Sequence, residues 1–152
     1  DDLEYRCQTC GMVGLGAGAR SYTRGLHYST PWRMVARNIR GVVDSYCAVM
    51  ADGDTAVSHG FALDEDEQRR RFVIQSLLYD GLDLNDFRAQ CGADARALFL
   101  PQWQALEEEG CVTAGPDAIR LTARGVRHAD VVGQLFFSER VRRLTDTYEY
   151  DR

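Results

Sequence analysis

The sequence predicts an α+β fold, and three observations carry that reading. Apolar residues lead into three alternating glycines at Val13-Gly14-Leu15-Gly16-Ala17-Gly18-Ala19-Arg20. Several later segments repeat apolar residues at three- and four-residue steps, the period of a helix with one buried face. Two short β-type segments, Cys111-Val112-Thr113 and Ala118-Ile119-Arg120-Leu121, flank Ala114-Gly115-Pro116-Asp117, which has the composition of a tight turn.

The elements follow in chain order. A short polar lead precedes a strand expected around Met12 to Leu15, and the glycines then turn the chain. Glycine lacks a Cβ, so such a turn lets backbone amides approach a flat or anionic ligand closely. It is neither a dinucleotide fingerprint, whose last spacing differs, nor a phosphate loop, whose Lys-Ser/Thr pair is missing. Pro31 suits the first turn of a helix in which Trp32, Val35, Ala36, Ile39, Val42 and Val43 recur at helical steps, ending near Met50. Residues Ala51 to Asp54 form a turn, and Thr55 to Leu63 reads as a strand or an extended linker.

Asp64 and Glu67 have the spacing of a capping box and open a helix with Phe72, Val73, Ile74, Leu77 and Leu78 on its apolar face. Gly81 closes it. A shorter helix runs from about Leu84 to Gln90 and ends at Gly92, and Pro101 divides the segment from Asp94 to Glu109 into two pieces. After the hairpin, Thr122 caps a last helix bearing Val126, Ala129, Val131, Val132 and Phe136. Three helices, a hairpin and a helix make a winged-helix-like order. The expected boundary lies near 63, giving a first domain at 1–63 and a second at 64–152.

Composition is that of an ordinary globular protein, with 45% hydrophobic and 27% charged residues. No apolar run approaches the roughly 20 residues of a membrane span, so no membrane partner is expected. All 18 basic residues are arginine, and the net charge of −5 resides in 64–152, where 12 arginines face 17 acids. Such a half does not suit a polyanion. Cys7, Cys10, Cys47, Cys91 and Cys111 are odd in number, which favours reduced thiols and a cytoplasmic location over a disulfide framework. The chain opens on Asp1-Asp2, from which a lost natural N-terminus is expected.

Five segments taken in order, Val13 to Tyr22, Val57 to Leu63, Asp64 to Ile74 with its Arg70-Arg71-Phe72-Val73-Ile74, Gly81 to Leu84, and Ile119 to Gly125, resemble one family. It is that of the oxygen-independent coproporphyrinogen III oxidase-like (HemN-like) radical SAM proteins, in their C-terminal part. The resemblance implies that 1–63 are the closing strand and helix of a partial (β/α) barrel and 64–152 a winged-helix-like domain. It implies a parent that cleaves S-adenosylmethionine reductively at a 4Fe-4S cluster held by C-x-x-x-C-x-x-C. That motif is absent here: Cys7 and Cys10 are spaced C-x-x-C, but Leu3 stands four residues before Cys7.

The chain is thus expected to be a fragment with no catalytic residue and no metal ligand, binding neither cluster nor S-adenosylmethionine alone. Its expected partners are the missing N-terminal barrel half and a small-molecule substrate, with a tetrapyrrole as the candidate. By position, the resemblance assigns ligand approach to Gly14, Gly16, Gly18, Ala19 and Arg20, with Ala19 and Arg20 facing the ligand. Arg20 replaces an aliphatic residue usual in coproporphyrinogen oxidases proper, which points to a separate subgroup of oxidase-like proteins.

Other readings are weaker. Structural zinc needs four ligands, and Cys7 and Cys10 have no second pair. His27, His59 and His128 have no motif around them, and Arg69-Arg70-Arg71 is a helix face paired with the acids one turn earlier. The alternative function is a winged-helix nucleic-acid-binding or protein-interaction module without catalysis. Its recognition element would be Asp94 to Glu109, which ends in Glu107-Glu108-Glu109 and offers only Arg96 as a cation. Phe99 and Trp103 there are expected as core or domain-packing residues, not as a base-stacking pair.

Overall fold

The computed structural model describes residues 11–30 and 39–148. Pro31, Trp32, Val35 and Ala36, together with Cys7 and Cys10, lie outside them. The chain divides into two compact units, one comprising the chain up to Asp64 and the other Glu65–Tyr148. Among the described residues there are eight helices and six strands, and every strand pairing is antiparallel.

In the first unit β1 (Arg20–Tyr22), β2 (Leu26–Ser29) and β3 (His59–Ala62) form a sheet in the order β1-β2-β3, and α1 (Ile39–Ala51) lies between β2 and β3 in sequence. The β1–β2 turn is tied by Thr23, whose amide and hydroxyl both donate to the Leu26 carbonyl at 2.9 Å. The strand expected around Met12 to Leu15 is reduced to one bridge, Met12 with Tyr22, with both bonds at 2.8 Å. Glycine at 14, 16 and 18 does not sustain a ladder, so regular pairing begins only past the turn. The described length of α1 buries no residue, and its Ile39 and Val43 are exposed, so the helical spacing there marks an apolar stripe and not a core.

The second unit contains α2 (Glu65–Tyr79), β4 (Leu82–Asp83), α3 (Leu84–Cys91), α4 (Ala95–Leu98), α5 (Leu100–Glu108), β5 (Val112–Ala114), β6 (Ala118–Leu121), α6 (Ala123–Arg127), α7 (Ala129–Leu135) and α8 (Glu139–Thr147). The hairpin β5–β6 gains a third strand, since Leu82 pairs with Ile119 and Asp83 with Ala118, giving the order β4-β6-β5. Two residues are too few to show an alternation, which is why β4 is not legible in the sequence.

Side-chain caps fix the helix starts. Asp83 accepts from the Asn85 and Asp86 amides at 2.8 Å, and Thr122 accepts from the Gly125 amide at 3.1 Å. Pro101 stands in the first turn of α5, where its missing N–H costs nothing. The Glu67 carboxylate, three residues after Asp64, is buried and accepts a hydrogen bond from the Ser138 hydroxyl. That hydroxyl in turn accepts from the Val141 amide at 3.0 Å, so one serine caps α8 and ties it to the first turn of α2.

The last predicted helix is three helices. His128, with φ −114°, ends α6 and precedes α7, and Ser138 opens α8. Gly125, Ala129, Val132 and Phe136 keep a three- and four-residue rhythm across the break, which makes the sequence read as one helix. Val126 and Val131, assigned to the apolar side, are instead 62% and 60% exposed.

The core of this unit is aromatic. Phe136 is fully buried and meets Phe99 edge-on at 5.7 Å and Trp103 at 4.9 Å, while Phe72 and Phe87 meet at 5.6 Å. Trp103 donates its indole N–H to the Ala95 carbonyl at 2.9 Å, so its one polar atom is satisfied inside the core. Val73, Leu77, Leu82 and Ile119 complete it.

Asp94 supplies the first pH prediction. Its carboxylate accepts from the amides of Arg96, at 2.8 Å, and Ala97, and it pairs with Arg88 at 3.1 Å. These contacts, the Arg96 amide foremost, hold its carboxyl below the ordinary carboxylate value. A depressed carboxylate stabilises the fold above its unfolded value, and that contribution fades as pH falls through the folded one. Asp94→Ala is therefore expected to lower the urea midpoint at pH 6, with the gap from wild type closing toward pH 2. An equal gap at both values would show that the charge of Asp94 does not act through the cap.

Candidate functional site

The glycine turn is built from the strands that follow it. Gly16 and Gly18 have φ of +110° and +73°. The Ala19 amide donates to the Gly16 carbonyl at 3.2 Å, closing a four-residue turn with Gly18 third, the position where a type II turn requires positive φ. Thr30 pins this turn to β2: its hydroxyl donates to the Gly16 carbonyl at 2.9 Å and its amide to the Ala19 carbonyl at 3.1 Å. Across the loop, the Gly14 amide donates to the hydroxyl of buried Ser21 at 3.0 Å.

The three glycines are not equivalent. A Cβ on Gly14 would stand 2.5 Å from the Arg20 carbonyl oxygen, so Gly14 is required by the approach of its own chain. At Gly16 a Cβ would meet nothing within 4 Å, and only the positive φ restricts the residue. Above the turn, Leu15 is 89% exposed. Among the described residues, no hydrogen bond reaches the amides of Leu15, Gly16, Ala17 or Gly18. The loop carries a run of backbone donors, exposed at Leu15 and Ala17 and half-buried at Gly16 and Gly18, with Ala19 partly covered and Arg20 at its exit as the first residue of β1. Ser21 and Thr30, which hold its shape, are not found by motif reasoning, because their contacts depend on the pairing of β1 with β2.

The other singled-out groups have structural partners. Arg69 pairs with Glu65 at 2.6 Å and donates to the Cys91 carbonyl, and Arg70 pairs with Asp66 at 2.7 Å and donates to the Phe136 carbonyl. His27 meets Tyr22 edge-on at 4.9 Å, and His59 Nδ1 lies 2.7 Å from the Ser58 hydroxyl. His128 is exposed at a helix junction. Phe99 and Trp103 are in the core as expected, not on a free surface of α4 and α5.

Among the described residues, no group of three or more His, Cys, Asp or Glu side chains is arranged to hold a metal ion. The described cysteines are an exposed Cys47, a partly covered Cys91 and a buried Cys111. These described residues do not fit an iron-sulfur cluster. No described helix is long and apolar enough to cross a membrane.

A small antiparallel sheet carrying a glycine turn, and a helical unit with a three-stranded hairpin sheet, define the class as mixed α/β. Residues 63–128 match the family model of the HemN C-terminal domain, so that segment is HemN C-terminal domain-like. The fold is similar to that of coproporphyrinogen III oxidase (HemN) from Escherichia coli, a radical SAM enzyme. The TM-score is 0.64 at 22% identity, and the likeness covers 83% of this chain but 28% of that one. Comparison with curated proteins gives no match.

Proposed function

We propose that this chain is the C-terminal part of a cytoplasmic radical SAM oxidoreductase-like protein of the coproporphyrinogen III oxidase type. In this reading 1–63 close the barrel and 64–152 form a winged-helix-like domain. The match of 63–128 to the HemN C-terminal domain carries the proposal, supported by a fold likeness that extends beyond that segment. The parent's 4Fe-4S cluster and bound S-adenosylmethionine would supply radical chemistry from the N-terminal half of the barrel, acting on a small molecule for which a tetrapyrrole is the candidate. This chain's own contribution is to hold the amides of the glycine loop and Arg20, at the start of β1, where they meet a carboxylate of cofactor or substrate.

Two measurements test this. The coding sequence upstream of Asp1 is expected to encode an in-frame C-x-x-x-C-x-x-C, and anaerobic reconstitution of the present chain alone is expected to yield no stoichiometric cluster. A SAM-responsive cluster on this chain would overturn the assignment.

The site is tested separately in the protein that includes the upstream half. Arg20→Ala is expected to weaken binding of S-adenosylmethionine or substrate about tenfold, roughly the loss of one charge-assisted hydrogen bond, with cluster content unchanged. Gly14→Ala is expected to disturb the turn itself, because its Cβ overlaps the Arg20 carbonyl. Wild-type binding by Arg20→Ala would show that the loop is structural.

A further inference from the structure

A surface helix usually carries one apolar stripe, and α1 carries two side by side. Val42, Tyr46 and Val49 follow one line along the helix and are partly covered. Ile39, Val43, Cys47 and Met50, spaced by four, four and three residues, follow the next line. All four are exposed, Ile39 at 63%, Met50 at 48% and Val43 at 43%. Single apolar residues scattered over a surface are ordinary, whereas a continuous run along one helix face marks a contact surface.

The charges beside the bare stripe select what fits it. Arg40 and Asp44 are both exposed and flank Ile39 and Val43 on the side away from Val42, Tyr46 and Val49. Neither makes an ion pair or a side-chain hydrogen bond among the described residues. Within α1 the cation precedes the anion by one turn, the less favourable order for a pair inside a helix. Two antiparallel copies of α1 related by a two-fold axis bring the same flank together with its direction reversed. Arg40 of each copy then meets Asp44 of the other. Within about one residue rise of 1.5 Å, the same register sets Ile39 of one copy against Val43 of the second. A parallel pairing would leave the two charged flanks on opposite sides of the seam, without partners.

We propose that the bare stripe of α1 is a homodimer surface. Ile39 and Val43 pack against the same residues of a second, antiparallel copy, and two reciprocal Arg40–Asp44 pairs fix the register. The apolar contact supplies the association and the pairs its orientation, because exposed ion pairs add little affinity. The proposal does not rest on the family reading.

Sedimentation velocity of this chain tests it, run from micromolar to submillimolar concentration under reducing conditions so that the exposed Cys47 cannot link copies through a disulfide. A monomer–dimer equilibrium is expected. Val43→Glu is expected to abolish the dimer, and Arg40→Asp or Asp44→Arg alone to weaken it by about threefold or more. The double variant Arg40→Asp/Asp44→Arg is expected to return to within about twofold of wild type, since the reciprocal pairs are restored with their signs exchanged. Unchanged circular dichroism shows that the variants remain folded. A chain that stays monomeric throughout overturns the proposal, as does a dimer that ignores Val43→Glu or a double variant as weak as the single ones. A dimer that disappears in the protein including the upstream half would show that this half covers the stripe, and would overturn it as well.

Discussion

Phe136→Ala is expected to destabilise the second unit by about 3–5 kcal/mol, the usual range for emptying a buried aromatic site. Phe136 is fully buried where α7 ends, and its ring touches both Phe99 and Trp103. Neither neighbour is free to collapse into the void: Trp103 is held by its bond to the Ala95 carbonyl, and Phe99 lies under the Arg70 guanidinium at 5.4 Å. For a domain of this size the loss corresponds to a fall in melting temperature of at least about 12 °C. Thermal unfolding followed by tryptophan fluorescence measures it, with Val131→Ala as an exposed apolar control expected to change little. A shift below about 1 kcal/mol would mean that the aromatic cluster repacks.

Gly125→Val is expected to cost about 3 kcal/mol by overpacking, the upper end of the usual range because the clash is with backbone. An added Cβ at Gly125 would stand 2.0 Å from the Cys111 carbonyl oxygen and 3.0 Å from Leu121 Cδ2. The contact is backbone, so no rotamer change relieves it. Cys111 O also accepts the Thr122 amide at 2.9 Å, and Thr122 Oγ1 donates to Gly110 O at 2.7 Å, so the start of α6 is tied to the segment between α5 and β5 where the methyls would intrude. Urea unfolding of Gly125→Val is read beside Val126→Ala, one residue away and exposed; neither change lowers helix propensity, so a lower midpoint for Gly125→Val reports the overpacking. Equal midpoints for the two variants would refute the close approach.

Glycine thus has different reasons at different places, and the sequence does not distinguish them. The spacing of Gly14, Gly16 and Gly18 marks a loop, yet Gly14 is fixed by a neighbouring carbonyl and Gly16 by its dihedral angle alone. The same holds for Glu67. Its position three residues after Asp64 marks a helix start, whereas its carboxylate meets Ser138, a residue 71 positions away that no local pattern links to it.

What the sequence by itself determined is local. The helices from α2 to α5, the division at Pro101, the caps at Thr122 and Gly92 and the hairpin were legible, because a period of 3.6, a turn composition and a capping side chain act within a few residues. The packing role of Phe99 and Trp103 was legible for a different reason, since the acids at Glu107 to Glu109 make that segment a poor surface for a nucleic acid. The tertiary structure alone decided what depends on pairing at a distance. It reduced the Met12 strand to a bridge, added β4 to the hairpin, divided the last helix in three, and left the described part of α1 without a buried residue. It also decided the surroundings of the glycine turn, which Ser21 and Thr30 hold, and the register that sets Arg20 opposite Ser29 and Ser29 opposite His59. Register is set by hydrogen bonds between strands far apart in sequence, and a shift of one residue would send every one of those side chains to the opposite face.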